Sequence, residues 1–318
     1  MDVRLSRSAL LRGVAGGAVA TYLSFRGGAS DVVAQESADE RAIEALENDD
    51  TEGAVEVWEA EFKEKPFDDD VRQALQASLV VHAMRCLDKG KLADAKAAVT
   101  RAKEVIPSSP AYRYLDEALK NYVKMLYSED MVTGSFIEGS ESDIETRYVE
   151  IEGMLGYQTE VLAVTAKNPG YFRGYEIGQI DAFETDAFAF RMLVYPMSDS
   201  GYVVVTFGRK TDDDYFAFTV DCQSSGYNTW NLAEISGGDW QEALASGSDG
   251  FAAKEWHALE VRVRGQAVEV WLDYQLVADD AAVDLEEGTI GFATGLNEGE
   301  SGRTFTAAFD DLVVYSLK

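Results

Sequence analysis

The amino-acid sequence predicts a mainly β protein, an antiparallel sandwich preceded by a small α-helical region. Three observations carry this. From about Asp39 to Tyr127 the apolar residues recur at steps of three and four, and glycine nearly disappears until Gly134. After Tyr127 the pattern changes to period two, with Gly, Asn and Asp turns at short intervals and about ten candidate strands. A chain of 318 residues with 46% apolar content is long enough for two modest cores. The expected layout is an export signal over 1–34, a helical region over 35–127 and the sandwich over 128–318.

The amino terminus carries Arg4, Arg7 and Arg12, then a small-residue apolar run from Gly13 to Phe25. Val32 and Ala34 fit the small-residue cleavage rule, so processing is expected between Ala34 and Gln35. The run is short of the roughly 20 residues a membrane helix needs, so no transmembrane anchor is expected beyond an uncleaved signal. The piece "SRSALLR", Ser6 to Arg12, resembles a twin-arginine export signal, with Ser8 where the second arginine would stand. The expected location is outside the cell or in its envelope.

In the helical region Leu92, Ala95, Val99 and Ala102 share one helix face. "SSPAY" gives a further start, with Ser109 as cap and Pro110 in the first turn, and Leu115, Ala118, Leu119, Tyr122 and Leu126 as the buried stripe. "GAVEVWEAEFKEKP" and "ADAKAAVTRAKEVIP" align on Pro66 and Pro107, pairing Ala54 with Ala95 and Trp58 with Val99. Gly90, Ala95, Ala102 and Pro107 resemble a tetratricopeptide repeat over one and a half units. That resemblance implies a groove for another protein's peptide; a plain helical hairpin or small bundle fits the same residues. His82 shares a stripe with Leu75, Leu79 and Cys86 and reads as a core histidine.

The stretch "VRVRGQAVEVWLD" fixes one hairpin. With Gly265 and Gln266 at the turn, Arg262 meets Glu269, Val263 meets Val268, Val261 meets Val270 and Leu259 meets Leu272. A slip of one residue would destroy this agreement. Trp271 then falls opposite Glu260, on the charged face, and is a secondary binding candidate. Together with "GYVVVTFGRKTDDDYFAFTVDC", "GTIGFATG" and "AFDDLVVY", this hairpin resembles the concanavalin A-like, laminin G-like jelly-roll modules of exported bacterial proteins. The resemblance covers about Glu129 to Lys318. Tyr274 occupies the place of the usual glycine in the turn after the second hairpin strand.

That resemblance implies lectins, adhesive modules, carbohydrate-binding modules or glucanases. Glucanases of the laminarinase type carry E-x-D-x-x-E on one strand; "ETDAFAF" supplies Glu184 and Asp186, but position 189 is Ala, so the catalytic assignment is not carried over. His82 and His257 form no convincing catalytic triad or zinc spacing. Binding is better served. Flat aromatic faces receive the C–H faces of sugars, and Trp230 and Trp240, flanking "SGG", together with Tyr227 and Trp271, are the ligand-binding candidates. Calcium is the candidate cofactor, through Asp213 and Asp214 of "TDDDY" and Asp310 and Asp311 of "FDD".

Against 57 acidic residues stand 28 Lys and Arg, a net charge of −29 that excludes nucleic acid as a partner. Cys86 and Cys222 fall in different regions and read as buried thiols. The expectation is an exported non-catalytic protein binding a glycan or a cell-surface protein. A glycoside hydrolase with unidentified carboxylates and a protein-interaction scaffold built on the helical region are the alternatives.

Overall fold

The computed structural model describes residues 37–107, 112–129, 139–140, 144–152, 158–167, 175–177, 187–211, 213–222, 229–248, 250–283, 285, 289–296 and 303–318. The segment 1–34, Ser109, Pro110, Glu184, Asp186, Asp212 and Tyr227 lie outside them. The chain divides into two compact units, the first ending in its main part at Tyr122 and the second holding the sheets.

The first unit contains helices α1 (Ala38–Glu47), α2 (Thr51–Glu64), α3 (Asp69–Asp88), α4 (Leu92–Val105) and α5 (Tyr112–Asn121). Their ends are written into the sequence. Ser37 and Glu40 form a reciprocal capping box on α1, and Asp50 and Asp68 accept from the first-turn amides of α2 and α3. Helix α3 ends at Gly90, in the left-handed region at φ 69°, where the amides of Gly90 and Lys91 return to the carbonyls of Leu87 and Cys86. Helix α3 is buried all round, through Leu75, Leu79, Val80, Ala83 and Leu87, so it forms the unit's centre. Helices α2 and α4 bury Ala54, Trp58, Ala95 and Val99, and the Arg101 guanidinium donates to both oxygens of Glu59 at 2.6 and 3.0 Å.

His82 is half-buried on α3, its Nδ1 2.9 Å from Thr51 Oγ1 and its Nε2 3.5 Å from Cys86 Sγ. Burial lowers its pKa and raises that of Cys86, so the pair is a neutral imidazole beside a protonated thiol. The stripe expected to continue helically through Leu126 stops at Asn121. Tyr122–Glu129 is strand β1, whose backbone finds a partner along β15 (Phe305–Leu317).

The remaining strands are β2 (Gly139–Ser140), β3 (Ile144–Glu152), β4 (Gln158–Ala166), β5 (Tyr175–Ile177), β6 (Ala187–Pro196), β7 (Gly201–Thr211), β8 (Asp214–Cys222) and β9 (Trp230–Ser236), followed by β10 (Asp239–Gly247), β11 (His257–Arg264), β12 (Ala267–Leu272), β13 (Gln275–Ala282) and β14 (Thr289–Gly295). They make two antiparallel sheets that form a sandwich. Sheet A runs β13-β12-β11-β6-β15-β4-β3-β2, with β1 also on β15, and sheet B runs β10-β9-β8-β7-β14-β5.

The period-two pattern sends alternate residues inward. Phe188, Phe190, Leu259, Val261 and Phe309 of sheet A meet Val203, Val205, Phe218, Leu232 and Phe292 of sheet B in one core. Each such side chain, fully buried, contributes about 1.5–3 kcal/mol. The "FDD" pair keeps this alternation alive along the thirteen residues of β15. Asp310 lies opposite Leu193 and Val313 opposite Arg191, so one extra residue sits in β15, with Asp311 at φ 47° and its amide on Asp310 Oδ1. The bulge moves the inward set from Phe305, Ala307 and Phe309 to Leu312 and Val314.

Candidate functional site

The β11–β12 hairpin has the register the sequence predicts, Leu259↔Leu272 through Arg264↔Ala267, turning on Gly265 at φ 57°. Its outward face is a charged ladder. Arg262, 1% exposed, donates to Glu260 and lies 3.7 Å from Glu269, while Arg264 donates to Glu269 at 2.5 Å. The Trp271 ring covers the Arg262 guanidinium at 4.5 Å and its Nε1 reaches Glu269 at 3.5 Å. Trp271 is thus buried within the ladder and holds a cation already present in the chain.

After β12 the turn uses Asp273 at φ 46° and Tyr274 at φ 64°, two side-chain-bearing residues in left-handed geometry. Asp273 is held there by its own polar groups. One carboxylate oxygen accepts from the Ala258 amide at 3.0 Å, the other faces His257 Nδ1 at 2.8 Å, and its amide donates to the Ala258 carbonyl at 2.8 Å. Tyr274, standing where the resemblance expects glycine, has its ring against the Arg191 guanidinium at 5.6 Å.

Trp230 faces the sandwich core, 4% exposed, against Phe218 and over Gly247, where a Cβ would stand 2.5 Å from its Nε1. The outward residues of its strand are Asn231, Ala233 and Ile235. Around them sheet B builds transverse rows from register alone. Tyr215, Ile235 and Trp240 form one; Ala217, Ala233 and Ala243 the next; then Thr219, Asn231 and Ser246; and finally Tyr202 opposite Asp221. Four strand steps separate the Ile235 row from the Asn231 row, about 14 Å at roughly 3.4 Å each.

This face is closed on one side and open on the other. Tyr202, Val204, Tyr215, Ala217 and Ile235 are buried, with the outer end of the Tyr202 ring against Gly295, where a Cβ would meet it at 2.2 Å. Along β10, Trp240 is 46% exposed, Ala243 and Ser246 are exposed, and Asn231, Thr229 and Asp221 are half-buried. Thr229 Oγ1 donates to Asp221 Oδ2 at 2.5 Å. Burial, with Tyr215 and Asp221 nearby, pushes the Tyr202 phenol up, so it stays a neutral hydroxyl.

The turn that presents Trp240 is Gly237–Gly238, at φ 60° and 82°, a two-residue connection needing positive φ at both positions. Asp214 secures it by accepting from Thr211 Oγ1 at 2.9 Å and the Gly237 amide at 3.0 Å, while the Asp213 carbonyl accepts from the Gly238 amide at 2.9 Å. Asp213 stands in the turn between β7 and β8 and Asp214 at the start of β8, both at sheet B, while Asp310 and Asp311 stand on β15 of sheet A. Among the described residues no three His, Cys, Asp or Glu side chains converge as a metal site would require.

Of the aromatic candidates among the described residues, Trp230 and Trp271 are buried and Trp240 is exposed; Asn231, Ser246, Thr229 and Asp221 complete its face. Their signal was the alternation of "NTWNLAEI", which puts Trp230 and Leu232 on one side and Asn231, Ala233 and Ile235 on the other. Ala189, the third position of the glucanase pattern, is buried opposite Arg262.

No family model matches the chain, and no curated protein matches it in sequence. Among solved structures it is similar to the carbohydrate-binding module CBM66 from Bacillus subtilis, at 12% identity and a TM-score of 0.37, covering 61% of this chain and 94% of that one. The Emp47p carbohydrate recognition domain matches at 11% identity and a TM-score of 0.37, over 60% of this chain and 95% of that one. The galectin LEC-6 of Caenorhabditis elegans matches at 15% identity and 0.30, over 46% and 95%.

Proposed function

We propose that this is an exported, non-catalytic protein that binds glycans on the open side of the outward face of sheet B. The observation that carries the reading is Trp240, exposed at the head of a floor made by Ala233 and Ala243 whose far end carries the Asn231 amide and the Ser246 hydroxyl. An indole receives the C–H face of a sugar ring, and the amide and hydroxyls of Asn231, Ser246 and Thr229 suit its hydroxyl groups. The alanine floor leaves room for a short stretch of an oligosaccharide along the strands. Asp213, Asp214, Asp239 and Glu242 crowd the Trp240 end of a chain of charge −29, which favours a neutral or cationic glycan over an acidic one. The amino-terminal arginines and apolar run support export.

A glycan array with the full chain, run with and without calcium and repeated with Trp240→Ala, tests the reading. Binding to a neutral or amino-sugar glycan that Trp240→Ala abolishes is the expected result. Silence on every sugar overturns it, and release of reducing sugar from a polysaccharide would make the protein a hydrolase.

A further inference from the structure

The connection 251–256 between β10 and β11 is tied to both sheets. The Phe251 amide donates to the Asp221 carbonyl on β8 at 3.0 Å, the Lys254 amide donates to the Pro196 carbonyl on β6 at 2.7 Å, and Trp256 lies 5.4 Å from Tyr195. His257 follows directly and grips this connection. Its ring stacks on Phe251 at 4.4 Å and 15°, its Nε2 is 2.9 Å from the Ala252 carbonyl oxygen, and its Nδ1 is 2.8 Å from Asp273 Oδ2.

Both partners are acceptors. A neutral imidazole carries one N–H and can donate to one of them, leaving two lone pairs opposed at the other nitrogen. Only the imidazolium satisfies both. The charged groups facing the ring are Asp273 and, more distantly, Glu255; Phe251 and the cross-strand Val194 supply apolar surroundings. Burial opposes the charge, but the Asp273 carboxylate, its hydrogen bond and that of Ala252 outweigh it and raise the pKa.

We propose that protonated His257 is a positioning residue for the polar end of the binding face. It clamps Phe251 and Ala252, Phe251 holds the Asp221 backbone, and the Asp221 carboxylate anchors Thr229, so that this end loosens when the imidazolium loses its proton. The proposal rests on the glycan reading for its functional meaning and on hydrogen bonds alone for its structure. The folded state holds this proton more tightly than the unfolded chain, whose histidine titrates at about 6.5. The clamp is therefore complete below that pH and is lost as pH rises through the folded value.

With only two histidines in the chain, NMR of the full protein resolves the question, His82→Gln assigning the signals. At pH 6 both His257 nitrogens carry protons, its midpoint lies above that of a free histidine, and Asp273→Asn moves the midpoint down. Across the wild-type midpoint the exchange protection of the Phe251 amide falls about tenfold, the equivalent of one lost hydrogen bond of about 1.4 kcal/mol. In His257→Gln that protection does not follow pH; should His257→Gln not fold, the fall in protection in Asp273→Asn shifts down in pH together with the lowered His257 midpoint. A His257 that is a neutral tautomer at pH 6, or Phe251 protection indifferent to its titration, overturns the proposal. Neither measurement uses a ligand, so they fail or succeed independently of the glycan array.

Discussion

Replacing Arg262 by Met would withdraw a buried cation from the sheet A ladder while keeping an unbranched stem over Trp271. Arg262 is 1% and Glu260 2% exposed, and the two are hydrogen-bonded. Breaking a buried ion pair by removing one partner costs about 3–5 kcal/mol, because the remaining charge stays out of water. The stacking on Trp271 at 4.5 Å adds about 2 kcal/mol for a desolvated site, and the Met side chain restores part of the apolar contact. Arg191, which lies across the strand from Glu260, offsets part of the exposed charge. The expected net loss is about 3 kcal/mol. Urea unfolding followed by tryptophan fluorescence suits the question, since Trp230, Trp240, Trp256 and Trp271 all stand in the sandwich and only Trp58 in the helical unit. Glu260→Gln combined with Arg262→Met should recover at least about 1.5 kcal/mol through the removed pair. A single-variant loss below about 1 kcal/mol, or a double variant that costs the full sum, would refute the ladder as a coupled unit.

Other consequences are as direct. Gly295→Ala puts a Cβ 2.2 Å from the Tyr202 ring, so it should cost about 1–3 kcal/mol as overpacking, and Tyr202→Ala in the same chain should relieve it; urea midpoints of the single and double variants decide this. His82 should titrate below the ordinary histidine range because burial disfavours its charge. The unfolded chain then binds the proton better, so its contribution to stability is present above about pH 6.5 and declines as pH falls. A pH series of urea midpoints for wild type and His82→Gln that superimpose in the acid range would contradict it.

The β11–β12 hairpin was legible to the residue because two independent patterns, apolar alternation and opposite charges, agree on one register, and Gly265 fixes the turn. The same register favours a structural Trp271 capping the charged ladder, with binding secondary, and Arg262, two strand positions away, occupies its ring. Trp230 looked like a rim residue because it precedes a glycine loop; the alternation with Leu232, taken strictly, turns it inward. Trp240 escapes that logic because β10 carries irregular register between Trp240 and Ala243 and again before Ala245, and a bulge has no period to read. Bulge chemistry also explains "FDD". Adjacent aspartates suggested cation ligands, whereas one of them adopts left-handed geometry and resets the strand. The helix expected through Leu126 failed for a plainer reason: "YVKMLYSE" suits either period, and the available edge of β15 decided it. The His257–Asp273 clamp was invisible because its members are 16 residues apart and meet only through the turn after β12.

The proposed ligand of the Trp240 face is a sugar. Calorimetric titration of the strongest array oligosaccharide into the full chain and into Trp240→Ala tests this proposal most directly. Because Trp240 is 46% exposed, the substitution should leave the urea midpoint within about 0.5 kcal/mol of wild type. Loss of the ring should weaken binding at least about tenfold, the worth of one stacked aromatic contact of about 1.4 kcal/mol. Equal affinities in two equally stable proteins would place the ligand elsewhere and contradict the account.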